Sequence, residues 1–143
     1  MSIARSRSVL AIDVGHKRIG LAGCDPLGIS ITQLPPLARG KFEEDLERVK
    51  LHCEKRKVEG LIIGLPLDEN GLITKQAVLC KRYGEKLASA LRLPVALVNE
   101  HSTTWAANER FNFSKDKSGK LDSACAALML EQWLREGPEL KPV

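Results

Sequence analysis

The sequence predicts an α/β domain built on a mixed five-stranded sheet with helices on both faces. Three strand-like runs follow one another near the start of the chain, separated by short turns. Two fully apolar runs of strand length, Leu61–Leu65 and Pro94–Val98, then alternate with segments of helical periodicity. The order β-β-β-α-β-α-β-α therefore gives an antiparallel three-strand meander joined to parallel strands that are covered on both faces.

The meander comprises Val9–Ile12, Ile19–Gly23 and Ile29–Leu34. A short polar turn separates the first two runs, as in a hairpin. The third run alternates apolar and polar residues, and Pro35-Pro36 is expected to end it.

The helices are predicted from apolar residues that recur at helical spacing. The first is Phe42–Lys57, with acidic residues in its first turn and basic residues in its last, which suits the helix dipole. A second carries apolar residues from Ile73 to Leu91, and a short one is expected over 102–111. The last runs from Asp122 to about Arg135, before Gly137-Pro138.

Length and composition favour a single globular domain over residues 1–143. No apolar stretch approaches the roughly 20 residues that span a bilayer. The four cysteines form no C-x-x-C pair and have no zinc-site spacing, so we expect reduced, buried thiols and a cytoplasmic protein. The net charge of +4 permits a polyanionic partner, and the low aromatic content disfavours a surface that stacks bases.

Asp13 is the most informative residue of the chain. It ends the apolar run of the first strand and is followed by Val14-Gly15. A charged side chain near a core costs several kcal/mol unless it has a partner. A carboxylate beside a glycine-containing turn therefore indicates a metal or phosphate site.

Two further acids could join Asp13, because ligands collect at the carboxyl ends of parallel strands. Glu100 follows the buried run Pro94–Val98, and Asp122 lies at the start of the last helix. Three carboxylates from three elements would suit one or two Mg²⁺ or Mn²⁺ ions and phosphodiester cleavage. The alternatives are that Asp122 only caps its helix and that Glu100 is an exposed loop carboxylate.

Several other polar residues have both a structural and a functional interpretation. The basic turn His16-Lys17-Arg18 is a solvated hairpin tip or a phosphate contact next to the metal. The lysines of 115–120 belong to a polar linker or to a clamp on a phosphate backbone. Asp68 is expected to be a turn residue, and His101 is a loop residue or a proton shuttle.

Five sequence blocks, in order and across nearly the whole chain, resemble the Holliday-junction-resolvase-like family, whose members are also described as pre-16S ribosomal RNA nucleases. The blocks are Ile12-Asp13-Val14-Gly15-His16-Lys17-Arg18-Ile19-Gly20, Asp25-Pro26-Leu27-Gly28, Ile63-Gly64-Leu65-Pro66-Leu67, Asn99-Glu100 with Thr103-Thr104, and Leu121-Asp122-Ser123-Ala124 with Ala126-Ala127.

The resemblance implies a ribonuclease-H-like fold and a divalent-metal nuclease that processes the 5′ end of the small-subunit rRNA precursor in the cytoplasm. It implies that Asp13, Glu100 and Asp122 are both the catalytic residues and the metal ligands. Lys17 and Arg18, from their place in the turn beside Asp13, would then be the phosphate contacts. Its partners would be structured RNA and the pre-ribosome. The chain departs from the family in having Asn99-Glu100-His101 where an Asp-Glu-Arg run is common.

Alternative functions stay open at this point. The chain could be a non-catalytic module that binds RNA or the ribosome, or a resolvase that cleaves branched DNA. ATP-using proteins of the actin-like type share the Asp-x-Gly turn but need a second lobe, for which 143 residues leave no room. The sequence also leaves open whether the chain forms a homodimer.

Overall fold

The structure is a computed structural model that describes residues 7–68, 70–99 and 120–142. Within these ranges it contains the predicted elements in the predicted order. They are β1 (Val9–Val14), β2 (Arg18–Cys24), β3 (Ile31–Ala38), α1 (Phe42–Arg56), β4 (Gly60–Leu65), α2 (Lys75–Leu91), β5 (Val95–Asn99) and α3 (Lys120–Glu136).

The five strands form one mixed sheet in the order β3-β2-β1-β4-β5. β1 and β2 are antiparallel, as are β2 and β3, whereas β1, β4 and β5 run parallel. Ile12 of β1 is level with Ile63 of β4, which is level with Leu97 of β5. The parallel strands therefore end along one side of the sheet, which we call the carboxyl edge.

Helices cover both faces of the sheet, as the sequence predicts. On one face Leu10, Ile12 and Val14 belong to a core with residues of α1 and α2. On the other face Val9 and Ala11 pack with α3. Because strand residues alternate between faces, Asp13 lies on the α3 face. No helix of the described ranges is long and apolar enough to span a bilayer.

The predicted end of the third strand at Pro35-Pro36 is wrong. β3 runs through both prolines to Ala38. β3 is an edge strand, where proline can leave its missing N–H on the open side. The pairing with β2 also shifts between Ile19 and Leu21, opposite the prolines, so a bulge absorbs the extra residue.

The predicted second helix begins too early. α2 starts at Lys75, where the side chain of Thr74 accepts a hydrogen bond from the Ala77 N–H as the N-cap. Ile73 lies before this cap, is 69% exposed and forms an isolated bridge with Leu67. Ile73 therefore matches the helical spacing without belonging to the helix.

The last helix already includes Lys120, two residues before its predicted start. Asp122 is its third residue, so the interpretation of Asp122 as the N-cap is wrong. The predicted short helix over 102–111 lies outside the described residues.

Candidate active site at the carboxyl edge

Asp13 lies where the carboxyl edge meets the α3 face, and two glycines flank it across the sheet. Its partner on β2 is Gly20. On the other side Gly64 follows Ile63, the β4 partner of Ile12. Asp13 itself is partly buried. Because glycine has no side chain, the residues beside Asp13 on the two neighbouring strands place no side chain of their own against its carboxylate.

The first turn of α3 is fixed over the same part of the sheet by Ser123. The Ser123 hydroxyl donates a 2.8 Å hydrogen bond to the Leu34 carbonyl and lies 3.5 Å from the Leu21 amide. Leu21 pairs with Ile12, the residue before Asp13. Ser123 is 3% exposed, so this contact is inside the protein. The backbone of Asp122, one residue earlier, is thereby held near the carboxyl edge.

The third predicted acid, Glu100, lies outside the described residues, as do His101, Lys115 and Lys117. The described chain reaches the carboxyl edge of β5 at Asn99, which is exposed and pairs with Leu65. Within residues 7–68, 70–99 and 120–142, no group of three or more His, Cys, Asp or Glu could hold a metal. The convergence of three acids therefore stays a prediction.

The basic turn between β1 and β2 is closed by a 2.9 Å hydrogen bond from the Gly15 amide to the Arg18 carbonyl. His16 and Lys17 are exposed at its tip, and Arg18 is partly buried. The turn is thus a hairpin tip, as predicted, and it places Lys17 and Arg18 next to the end of β1 that carries Asp13.

Arg39 holds this turn in place. Its backbone amide donates to the Lys17 carbonyl at 2.8 Å, and its guanidinium Nη1 donates to the Gly15 carbonyl at 2.8 Å. The same guanidinium lies 4.9 Å from the centre of the Tyr83 ring. Arg39 belongs to no recognisable motif, and only its nearness in space to the turn reveals its role.

Two other acidic residues, Asp68 and Asp25, serve to close turns. The Asp68 carboxylate accepts the amides of Asn70 and Leu72, each at 2.9 Å, which confirms the predicted turn. The Asp25 carboxylate accepts the Ile29 amide at 2.7 Å in the β2–β3 turn. Because β2 is antiparallel to β1, Asp25, which follows the end of β2, lies on the side of the sheet opposite the carboxyl edge and thus away from Asp13.

The cysteines agree with the prediction of buried thiols, since all four are free and buried. Burial raises the pKa of Cys53 to about 11 and also raises the pKa of Cys24. Neither thiol is therefore a nucleophile near neutral pH.

Residues 7–136 match the family model described as "RuvX: Holliday junction resolvase". The chain belongs to the RuvX family. It is 65% identical over 137 residues to a "Putative pre-16S rRNA nuclease" of Prochlorococcus marinus strain MIT 9313, covering 96% of this chain and 85% of that protein. It is 61% identical over 139 residues to a protein of the same name from Parasynechococcus marenigrum strain WH8102, covering 97% and 88%.

Solved structures confirm the fold of this RuvX family member. The chain resembles T. thermophilus RuvC, solved in complex with a Holliday junction substrate, at a TM-score of 0.61 and 14% identity, over 96% of this chain and 99% of that one. A second T. thermophilus RuvC structure matches at a TM-score of 0.53, 14% identity and coverage of 95% and 99%. The expected ribonuclease-H-like fold is thus confirmed.

Proposed function

We propose that this protein is a divalent-metal-dependent endonuclease that hydrolyses phosphodiester bonds at the carboxyl edge, within a single domain over residues 1–143. The observation that carries the proposal is the position of Asp13: a partly buried carboxylate at the end of a central strand, flanked by Gly20 and by the strand of Gly64. A carboxylate at this place supplies oxygen ligands of the kind that Mg²⁺ and Mn²⁺ prefer.

Asp13, Glu100 and Asp122 would hold one or two Mg²⁺ or Mn²⁺ ions, because carboxylate oxygens are the ligands that these ions prefer. A divalent ion bound there would supply Lewis-acid stabilisation of the phosphate and a more acidic water. The donors on this chain suit such an ion. Asp13 is anchored in β1, and the Ser123 hydrogen bonds fix the turn that carries Asp122.

Lys17 and Arg18 would bind the phosphate that is cleaved or the one next to it. Both belong to the turn that directly follows β1, and Arg39 fixes the backbone of that turn at the Gly15 and Lys17 carbonyls. A guanidinium can contact two phosphate oxygens at once, and a lysine acts as a point charge. A fixed turn lowers the entropy cost of placing these cations.

Structured RNA at the 5′ end of the pre-16S rRNA, within the pre-ribosome, is the substrate that we propose, since the relatives above carry that name. This assignment places the protein in the cytoplasm, in keeping with four free cysteines. Branched DNA is the second candidate, because the matched family model is described as a Holliday junction resolvase.

The test is cleavage of a pre-16S leader RNA and of a four-way DNA junction, with Mg²⁺ or Mn²⁺ and with chelator. Wild type is compared with Asp13→Asn, and Asp68→Asn serves as the matched control. Asp68 also follows a parallel strand, and an asparagine oxygen can accept the same two turn hydrogen bonds. We expect Asp13→Asn to lose at least about a hundredfold in rate, while Asp68→Asn stays close to wild type.

Equal activity, or equal inactivity, of wild type and Asp13→Asn on both substrates would contradict the proposal. Asn99, which stands where the family often has aspartate, makes a binding module the specific competitor. Such a module would bind RNA equally well in wild type, in Asp13→Asn and after chelation, without turnover.

A further inference from the structure

A cleft of about 290 Å³ with a positively charged lining opens beside the β1–β2 turn, on the face of the sheet that α2 covers. We call it the basic cleft. None of the described residues that line it is acidic. Its basic side chains are His16, Arg39, Arg82 and Lys86, and the remaining lining residues are Val14, Gln76, Leu79, Cys80 and Tyr83.

A chain of polar contacts holds the side chains at the floor of the basic cleft. The Arg39 guanidinium is held by the Gly15 carbonyl and lies over the Tyr83 ring. The Tyr83 hydroxyl in turn donates a 2.9 Å hydrogen bond to Asp45, which is 1% exposed. Asp45 accepts a second hydrogen bond from the Gly40 amide. The acid is therefore buried behind the tyrosine, whereas Arg39, Arg82 and Lys86 are exposed.

The rim of the cleft is formed by two cations of α2. Arg82 and Lys86 are exposed and four residues apart, so they lie on one face of the helix. Like charges at this spacing slightly destabilise a helix, so helix stability does not account for them. The Lys86 ammonium lies 4.1 Å from the centre of the Phe42 ring, a cation–π contact at the rim.

The basic cleft and Asp13 lie on opposite faces of the sheet but at the same end of β1. Val14 lines the cleft, and Asp13 directly precedes it with its side chain on the α3 face. The turn Gly15–Arg18 connects the two faces and presents His16 and Lys17 to solvent. Basic side chains thus lie both in the turn that follows Asp13 and in the cleft.

We propose that the basic cleft binds backbone phosphates of the nucleic-acid strand that extends beyond the cleavage site over the β1–β2 turn. The proposal rests on the proposed function for one point only, namely that the bound strand belongs to the nucleic acid that is cleaved at the carboxyl edge. Phosphate contacts of this kind position a substrate without reading its sequence. Arg82 and Lys86 are therefore positioning residues, and Arg39 links the turn to the cleft.

The experiment measures binding of a labelled RNA hairpin with single-stranded extensions, without divalent metal, over a range of salt concentrations. The variant is Arg82→Gln/Lys86→Gln, and the matched control is Lys81→Gln/Lys55→Gln, which removes the same charge. Lys81 lies on another face of α2. Lys55 is roughly 20 Å along α1 from Phe42, at the far end of the sheet.

We expect the cleft variant to lower the slope of log K against log salt by up to about 1.4, because each lost contact with a single strand removes roughly 0.7. The affinity then falls roughly 5- to 25-fold at about 0.1 M salt. The control variant should keep the wild-type slope. An excess of inorganic phosphate, with ionic strength held constant, should not displace the RNA; displacement would indicate a site for a small free anion and overturn the proposal.

A second measurement maps the strand directly. Leu79 is 58% exposed at the cleft, and Leu51 on α1 is 66% exposed away from it. A photoactivatable thiol reagent is attached to Leu79→Cys and to Leu51→Cys. It labels the introduced cysteine because the native cysteines are buried. Crosslinks to RNA from position 79 only are expected, whereas equal or absent crosslinking at both positions contradicts the proposal.

The failure of this inference is distinguishable from failure of the proposed function. Unchanged affinity in the cleft variant, together with turnover that depends on Asp13, overturns the cleft alone. Binding that depends on the cleft, with no turnover by wild type, overturns the nuclease assignment alone.

Discussion

Tyr83→Phe should destabilise the protein through the loss of a single hydrogen bond. The tyrosine hydroxyl donates to the Asp45 carboxylate at 2.9 Å, and Asp45 is 1% exposed. The substitution keeps the ring, its edge contact with Phe42 at 5.8 Å and the overlying Arg39. The change therefore isolates the hydroxyl.

The expected cost is about 1.5–3 kcal/mol, the range for a hydrogen bond to a charged group whose buried partner is left less satisfied. Of the two hydrogen bonds to the Asp45 carboxylate from Tyr83 and Gly40, the variant keeps only the one from the Gly40 amide. For a chain of 143 residues this cost corresponds to a fall in Tm of roughly 5–12 °C. Denaturant unfolding and calorimetry measure both quantities.

The same contact makes stability depend on alkaline pH. Burial first, and then the hydrogen bond to Asp45 and its charge, raise the pKa of Tyr83 above its ordinary value of about 10. Because the folded-state pKa is the higher one, the stabilisation is complete below about pH 10 and is lost as the pH rises further. The slope is at most about 1.4 kcal/mol per pH unit, and solvent screening reduces it because Tyr83 is only half-buried.

Tyr83 is the only tyrosine of the chain, so the phenolate absorbance in the near ultraviolet reports this residue alone. We expect its titration midpoint to lie well above about 10 in the folded protein and near 10 in concentrated guanidinium. Tyr83→Phe serves as the blank and should lack the extra alkaline loss of stability. A folded-state midpoint near 10, or a variant as stable as wild type within about 0.5 kcal/mol, would refute the reasoning.

Two further predictions concern the packing around the site. Ser123→Ala should lower the unfolding free energy by about 1–2 kcal/mol, because it leaves the Leu34 carbonyl without its 2.8 Å donor. Ser89→Ala, on the exposed side of α2, is the control. Equal stability of the two variants would contradict the role of Ser123. In the native protein the four thiols should not react with a disulfide reagent at mildly alkaline pH, since all are buried and burial raises the pKa of Cys53 to about 11. All four should react in denaturant. Rapid labelling of the native protein would contradict this prediction, because it would show that the thiols are accessible.

The order of the elements could be predicted from the sequence because it depends on local periodicity. The apolar run Leu61–Leu65 is buried on both faces of the sheet except at its last residue, which is partly buried, and the spacing of Val49 and Cys53 matches one face of α1. Such patterns survive in the fold because burial of apolar surface is what selects them.

The end of β3 could not be predicted, because it depends on tertiary structure. Pro35-Pro36 would end a central strand, but β3 pairs on one side only and a bulge accommodates the prolines. The edge position of a strand follows from the sheet order, which no local pattern contains.

The site was only partly predictable for a similar reason. The position of Asp13 at a strand end follows from the apolar run before it. Its glycine neighbour Gly20 follows from strand register, and the contact of Arg39 with the turn joins residues far apart in sequence. Pairings of this kind are set by the folded backbone, so a single sequence carries little sign of them.

The most direct test of the central claim is anomalous diffraction from crystals soaked in Mn²⁺, for wild type and Asp13→Asn. We predict manganese beside Asp13 at the carboxyl edge, roughly 2–2.3 Å from a carboxylate oxygen, with Glu100 and Asp122 as the other protein ligands. The peak should weaken or vanish in Asp13→Asn. Manganese bound elsewhere, or bound equally in both proteins, would contradict the account.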